Sequence, residues 1–315
     1  MRMILDMRRQ TLGLAVFGLT AILIAAGCGN DGSSGARVQV VATTTQLADI
    51  AANVAGDRAA VHGILTPTSD PHEYEPRPSD VEAVAQADLI LKSGGDLDAW
   101  LDQIIESSGT DAPVVTMIDS METTEIGEDP HWWQAPRNAV ITTELVRDAL
   151  VEADPDGDDG YRARASDYVA TLEKLDREIA ACIDRLAPEQ RKLVTSHDAL
   201  GYYADRYGLE VIGAVIPALT TQAQASAGET AELIDLIEQE RVSAIFPEAG
   251  VSQSLEQAIA DETGAEIGGE LWADALGPEG SSGATYIEAM AANTREIVES
   301  LSGGAESCEL HTAGS

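Results

Sequence analysis

The chain has 315 residues, enough for one large or two medium domains, and 44% of them are hydrophobic, which excludes global disorder. Against 54 Asp and Glu stand 19 Lys and Arg, a net charge of −35, and so acidic a chain has no basic patch with which to bind nucleic acid. Three cysteines are too few for a disulfide scaffold or a multi-cysteine zinc domain.

The acid is spread along the chain and interleaved with apolar periodicity, which describes a folded domain with an acidic surface suited to concentrated salt. The only lysines are Lys92, Lys174 and Lys192, and Phe246 is the sole Phe beyond the N-terminal segment, so the core must rest on Ala, Val, Ile and Leu. Residues 1–27 read as an export signal: Arg8-Arg9, an apolar stretch from Leu12 to Ala26, then small residues. Ala25-Ala26-Gly27-Cys28 resembles a bacterial lipobox, which would make Cys28 the lipidated first residue of the mature chain, and the Arg pair resembles the twin-arginine export signal. The alternative is a retained membrane anchor with an incidental Cys. Either way the protein faces outward on the cytoplasmic membrane. Residues 28–37 are then the lipidated Cys and a Gly/Ser-rich tether.

From Val38 the pattern alternates. Strands are expected at Val38–Thr44, Ala59–Leu65, Leu89–Leu91 and Val114–Ile118, and helices at Gln46–Val54, from a capping box led by Ser79, and at Leu97–Ser107. Ala139–Ala153 is helical. Tyr161–Leu186 then reads as one long helix, with Tyr168, Leu172, Leu175, Ile179 and Ile183 three or four apart. Alternation resumes with strands at Leu193–Thr195, Glu210–Val215, Ser243–Phe246 and Glu266–Ile267, and helices at Ala199–Tyr207, Glu229–Glu240, Ser252–Thr263 and Thr285–Leu301. The expected fold is α/β: two αβ lobes with parallel sheets, residues 38–156 and 189–303, joined by a linking helix within 157–188 and followed by a polar tail, 304–315.

Of five histidines, His62 falls inside a strand and His311 in the polar tail, so neither is expected to bind anything. His72, His131 and His197 each follow a strand or sit between elements, where ligand groups of parallel α/β layers collect. Two of them share a tripeptide, Asp70-Pro71-His72 and Asp129-Pro130-His131, in which Pro fixes the direction of the chain before the imidazole. The third lies in Thr195-Ser196-His197-Asp198.

Several runs occur in order: Asp70 to Asp80 (DPHEYEPRPSD), Asp129-Pro130-His131, Thr195-Ser196-His197, Ala244 to Glu248 (AIFPE), Ala260 to Gly264 (ADETG) and Leu271 to Gly277 (LWADALG). Together they resemble the zinc/manganese-type solute-binding lipoproteins of ABC importers, from about Val38 to Leu301. The resemblance implies two αβ lobes on one rigid helix, and metal ligands at His72 and His131 in the first lobe and His197 and Asp274 in the second. It also implies Zn²⁺ or Mn²⁺ as the transported ligand, an ABC permease with its ATPase as partners, a lipid anchor, and a monomer that is not an enzyme. Three imidazoles and a carboxylate suit Zn²⁺ and serve Mn²⁺. At intervals of 59, 66 and 77 residues, only the fold can assemble them.

The chain departs from the family's pattern in two places. Trp133-Gln134-Ala135-Pro136 replaces a Trp-Leu-Asp-Pro run, removing a carboxylate near the second His, and Glu122–Glu128 is short and acidic where many zinc-specific members carry a long His-rich loop. Glu248 is a candidate for supporting a ligand or replacing one. Cys182 and Cys308 are able to pair outside the cell, but the sequence does not fix their connectivity. Other classes remain open: a secreted zinc hydrolase, which would need an open coordination position and a general base, or a surface adhesin of the same fold.

Overall fold

The computed structural model describes residues 37–67, 69–121 and 129–312. The export signal with its Arg8-Arg9 pair, Cys28 and its tether up to residue 36, and the acidic stretch Glu122–Glu128 lie outside the described residues. Among the described residues no helix is long and apolar enough to cross a membrane.

The first lobe is a parallel sheet of β1 (Val38–Ala42), β2 (Ala59–Gly63), β3 (Leu89–Lys92) and β4 (Val114–Thr116), ordered β2-β1-β3-β4. Its central strands are β-branched and leucine-rich because helices cover both faces. Helix α1 (Thr45–Ala55) starts where the Thr44 hydroxyl accepts from the Leu47 N–H, and it stops at Gly56, whose φ of +55° suits only glycine. The second lobe contains β5 (Lys192–His197) paired with β6 (Glu210–Ile216), and β7 (Ala244–Ile245) paired with β8 (Glu266–Ile267). A bridge from Thr195 to Phe246 joins the pairs in the order β6-β5-β7-β8, the same arrangement as in the first lobe.

The other helices are α2 (Pro78–Ala85), α3 (Trp100–Ser108), α4 (Pro136–Ala153), α5 (Asp158–Ile183), α6 (Gly201–Tyr207), α7 (Ala227–Glu240), α8 (Ser254–Thr263) and α9 (Tyr286–Leu301). Helix α5 links the lobes; its 26 residues span roughly 39 Å at about 1.5 Å per residue. It begins three residues before Tyr161, with Asp158 and Asp159 in its first turn, where carboxylates complement the helix dipole. It ends before Leu186, which belongs to a tighter closing turn ahead of Pro188. The apolar stripe expected on it is buried: Tyr168, Leu172, Leu175, Ile179 and Ile183 join one core cluster with Val40 and Leu91 of the first lobe and Tyr203 and Phe246 of the second.

Two local expectations are corrected. Arg77, not Ser79, caps α2. Pro78 takes the first helical position, where its missing N–H costs nothing, and the Asp80 carboxylate accepts from the Arg77 N–H at 2.6 Å. Helix α3 starts at Trp100 instead of Leu97. The buried Asp98 carboxylate accepts from the Ser93 and Gly94 N–H groups at 2.7 and 3.0 Å, and Asp96 takes a positive φ, so the chain is turning where the apolar spacing suggested helix.

Asp49 on α1 lies at the junction of α1, α5 and α9. It accepts from the Tyr286 N–H at 3.1 Å and faces the Tyr168 hydroxyl at 3.5 Å. Burial raises its carboxyl from 3.8 to about 6, outweighing these bonds. Between those values the unfolded chain ionises while the folded one resists, so this group subtracts stability as pH rises through the window, by roughly 3 kcal/mol in full. Asp49→Asn should therefore be more stable than the parent at pH 7 and equal to it below about pH 4. Urea melts across pH measure this, and an unchanged pH profile would exclude the role.

Candidate metal centre

Each of the four candidate residues leaves the C-terminal side of a strand. His72 follows β2, His131 follows β4, His197 is the last residue of β5, and Asp274 follows β8 beyond a bridge between Glu248 and Leu271. The two Asp-Pro-His tripeptides fold alike. Asp70 Oδ1 accepts from the His72 N–H at 2.8 Å, and Asp129 Oδ1 accepts from the His131 N–H at 2.8 Å, so each Asp curls back on its own His. Asn293 on α9 holds the Asp274 loop at both backbone groups of Trp272, each at 2.8 Å.

The fold brings all four side chains together, with ligand atoms within 4.8 Å of one another. Asp274 Oδ2 lies 3.1 Å from His72 Nε2 and 3.2 Å from His197 Nε2, and Asp274 Oδ1 lies 3.4 Å from His131 Nε2. His72 Nε2 and His131 Nε2 are 3.4 Å apart. A tetrahedron with bonds of about 2.05 Å has edges of about 3.3 Å, so these separations fit a small divalent ion. His197 Nε2 and both Asp274 oxygens are buried without an aligned hydrogen-bond partner, which is costly unless something else occupies them. His62 is exposed on β2, and His311 is engaged by Glu178 on α5 at 2.8 Å, far from this cluster in the chain's path.

Carboxylates orient two of the imidazoles. Asp129 Oδ1 meets His131 Nδ1 at 2.7 Å, and Glu248 Oε2 meets His197 Nδ1 at 2.9 Å, which leaves both Nε2 atoms turned inward. Glu248 Oε1 also accepts from the Asp274 N–H at 3.3 Å, so both its oxygens are engaged in support. Asp129 thus provides a carboxylate for the second His, although the residues after that His carry none. Its sequence signal was its position before Pro130-His131, matching Asp70. Burial alone would strip the charge from His197, but Asp274 and Glu248 on its two sides hold it well above the usual imidazole range. Burial likewise disfavours the Asp274 carboxylate, yet the surrounding imidazoles hold it well below the usual range. Glu248 is raised by burial and by the Asp274 charge. Asp129→Asn or Glu248→Gln is expected to weaken Zn²⁺ binding about 10–100-fold with the fold intact, as measured by competition with a chelating dye; an unchanged affinity would exclude the support role.

The lobes are also bonded across the site. The Ala273 carbonyl accepts from Trp133 Nε1 at 2.8 Å, Gln134 Nε2 at 2.9 Å and Gln46 Nε2 at 3.5 Å, and the Leu276 N–H donates to Thr45 Oγ1 at 2.9 Å. Gln134, read from sequence as a departure, is therefore a buried tie between the first lobe and the Asp274 loop. From the second lobe, Thr221 Oγ1 donates to Asp70 Oδ2 at 2.6 Å and Gln222 Nε2 donates to the His72 carbonyl. No sequence signal marked Thr221 or Gln222. A cavity of about 300 Å³ opens beside the cluster, lined by Asp70, Glu73, Glu248 and Asp274, an acidic mouth that attracts cations.

Residues 40–300 match the protein family described as zinc-uptake complex component A, periplasmic. The chain is 36% identical over 288 residues to the manganese-binding lipoprotein MntA of Halalkalibacterium halodurans, covering 89% of this chain and 95% of that one. It is 33% identical over 265 residues to the iron-binding protein YfeA of Yersinia pestis, covering 82% and 84%. Among solved structures, the periplasmic zinc binding protein TroA from Treponema pallidum superposes with a TM-score of 0.77 at 30% identity, covering 84% of this chain and 99% of that one.

Proposed function

The chain belongs to the periplasmic zinc-uptake component A family, and from that membership we propose that it is the extracytoplasmic substrate-binding component of an ABC importer. It captures a divalent transition metal ion between its lobes and passes it to a membrane permease driven by an ATPase. The relatives named for manganese and iron binding give no support to the hydrolase alternative. The protein carries cargo and performs no reaction.

The observation that supports this reading is the convergence of four ligand atoms within 4.8 Å at the end of an acidic mouth. The cation enters past Asp70 and Glu73, and the Nε2 atoms of His72, His131 and His197 and the Asp274 carboxylate replace its water. One carboxylate oxygen completes a four-coordinate N₃O site for Zn²⁺. Both oxygens face the imidazoles, so a second bond is within reach for Mn²⁺, which accepts more oxygen ligands. We assign Zn²⁺ as the tighter ligand, following the usual divalent order. Release requires the ties at Ala273, His72 and Asp70 to part, and α5 limits that motion to a small rocking of the lobes.

The test is direct. Metal-free protein titrated with Zn²⁺ and Mn²⁺ should bind one ion per chain, and deletion of the gene should impair growth only in metal-depleted medium. Absence of stoichiometric binding would overturn the assignment. Cys28 anchors the mature chain to the membrane; Cys28→Ser should move the protein from the detergent phase to the aqueous phase, and an unchanged partition would exclude the anchor.

A further inference from the structure

We infer that Cys182 and Cys308 form a disulfide that staples the C-terminal tail to the linking helix. After α9 the chain reverses through Gly303 and Gly304, both at positive φ, and returns along α5. Its contacts fall in register. The Ser307 carbonyl accepts from the Arg185 guanidinium. The His311 N–H donates to Glu178 Oε2 at 3.0 Å, and His311 Nδ1 meets Glu178 Oε1 at 2.8 Å. Glu178 and Cys182 lie one turn apart on α5, and Arg185 follows in the turn just beyond the helix end. The tail therefore runs antiparallel to α5 and brings Cys308 alongside Cys182, both as free, buried thiols. Arg295 on α9 holds the same segment by donating to the Leu310 carbonyl at 3.0 Å.

Both thiols are buried, at 2% and 8% exposure, beside Tyr203 of α6. A metal site is the competing use of two facing cysteines. Among the described residues, however, the only group of three or more His, Cys, Asp or Glu placed to hold an ion is the His72–His131–His197–Asp274 cluster. Oxidation breaks two S–H bonds and forms one Sγ–Sγ bond; the two electrons and two protons pass to a disulfide oxidant, which leaves as two thiols. Burial pushes the Cys182 thiol up to about 12, so the attacking thiolate forms while the tail is undocked. Once docked, the bond is shielded from reductant.

The disulfide closes a loop of about 125 residues that contains most of the second lobe. The experiment uses the full chain treated with oxidised glutathione, alkylated in denaturant and digested without reductant. A linked peptide pair carrying Cys182 and Cys308 is expected. The oxidised form should melt about 5–10 °C above the reduced form, and Cys308→Ser should show no such difference. Reduction by dithiothreitol should be fast in denaturant and slow without it. Recovery of both cysteines alkylated, or as separate glutathione adducts, would overturn the inference. The oxidant is supplied in vitro and the readout is a peptide mass, so the result is independent of whether the chain binds metal or where it resides.

Discussion

Asp274→Ala is expected to weaken Zn²⁺ binding by more than about 100-fold, beyond the range for loss of a supporting carboxylate. Its carboxylate contacts all three imidazoles at 3.1 to 3.4 Å and brings the only negative charge within the ligand set. Removing it leaves three donors that carry no charge when competent to bind, and strands His197 beside Glu248 alone. His72→Ala, His131→Ala and His197→Ala should have effects of similar size, because a buried site offers no water of equal strength at the position of the lost nitrogen. His62→Ala and His311→Ala should leave binding unchanged, since one side chain is exposed on β2 and the other pairs with Glu178. Calorimetry of the six variants, with circular dichroism to establish folding, decides the assignment. If His62→Ala costs as much as His131→Ala, the four-residue set is wrong.

Zn²⁺ affinity should fall as pH drops, and the fall should begin above the ordinary imidazole pKa of about 6.5. Imidazole binds metal only when neutral. Burial disfavours the charged form of His197, but Asp274 and Glu248 hold its proton to higher pH than an ordinary imidazole keeps it. Binding is therefore expected to expel protons, each costing about tenfold in affinity per pH unit. Asp274, held well below its usual range, stays ionised throughout and adds nothing to the slope until strongly acidic pH. Titrations in two buffers of different ionisation enthalpy give the proton count directly. Glu248→Gln should reduce it at pH 7 by removing one of the two charges that retain the proton. Binding that ignores pH between about 5 and 7.5 would refute the site chemistry.

The cross-lobe ties revise how the two halves are joined. The expected connection was α5 alone. The structure adds the Ala273 carbonyl held by Trp133, Gln134 and Gln46, and the start of α9 held by Asp49 and by the Tyr286 hydroxyl donating to the Trp133 carbonyl at 2.6 Å. Asp274, although it follows a second-lobe strand, sits on a loop that the first lobe grips. A side chain on a loop gripped in this way resists displacement, which fits the proposed role of Asp274 in holding an ion.

The sequence by itself determined the alternation of elements, the long linking helix and the residues with metal-binding chemistry, because each is written locally. Strands such as Leu89–Leu91 announce themselves by a short apolar run, and α5 by a stripe every three or four residues. The repeated Asp-Pro-His tripeptide carries its own turn, since the Asp side chain reaches only two residues along the chain. Only the tertiary structure decided which groups meet. Asp129 and Glu248 became the partners of His131 and His197, Gln134 became a tie to Ala273, and Thr221 and Gln222 closed over Asp70 and His72. The C-terminal tail came to lie along α5 for the same reason. These pairs are separated by up to about 150 residues, and no local spacing encodes a contact that exists only once two lobes pack against one helix.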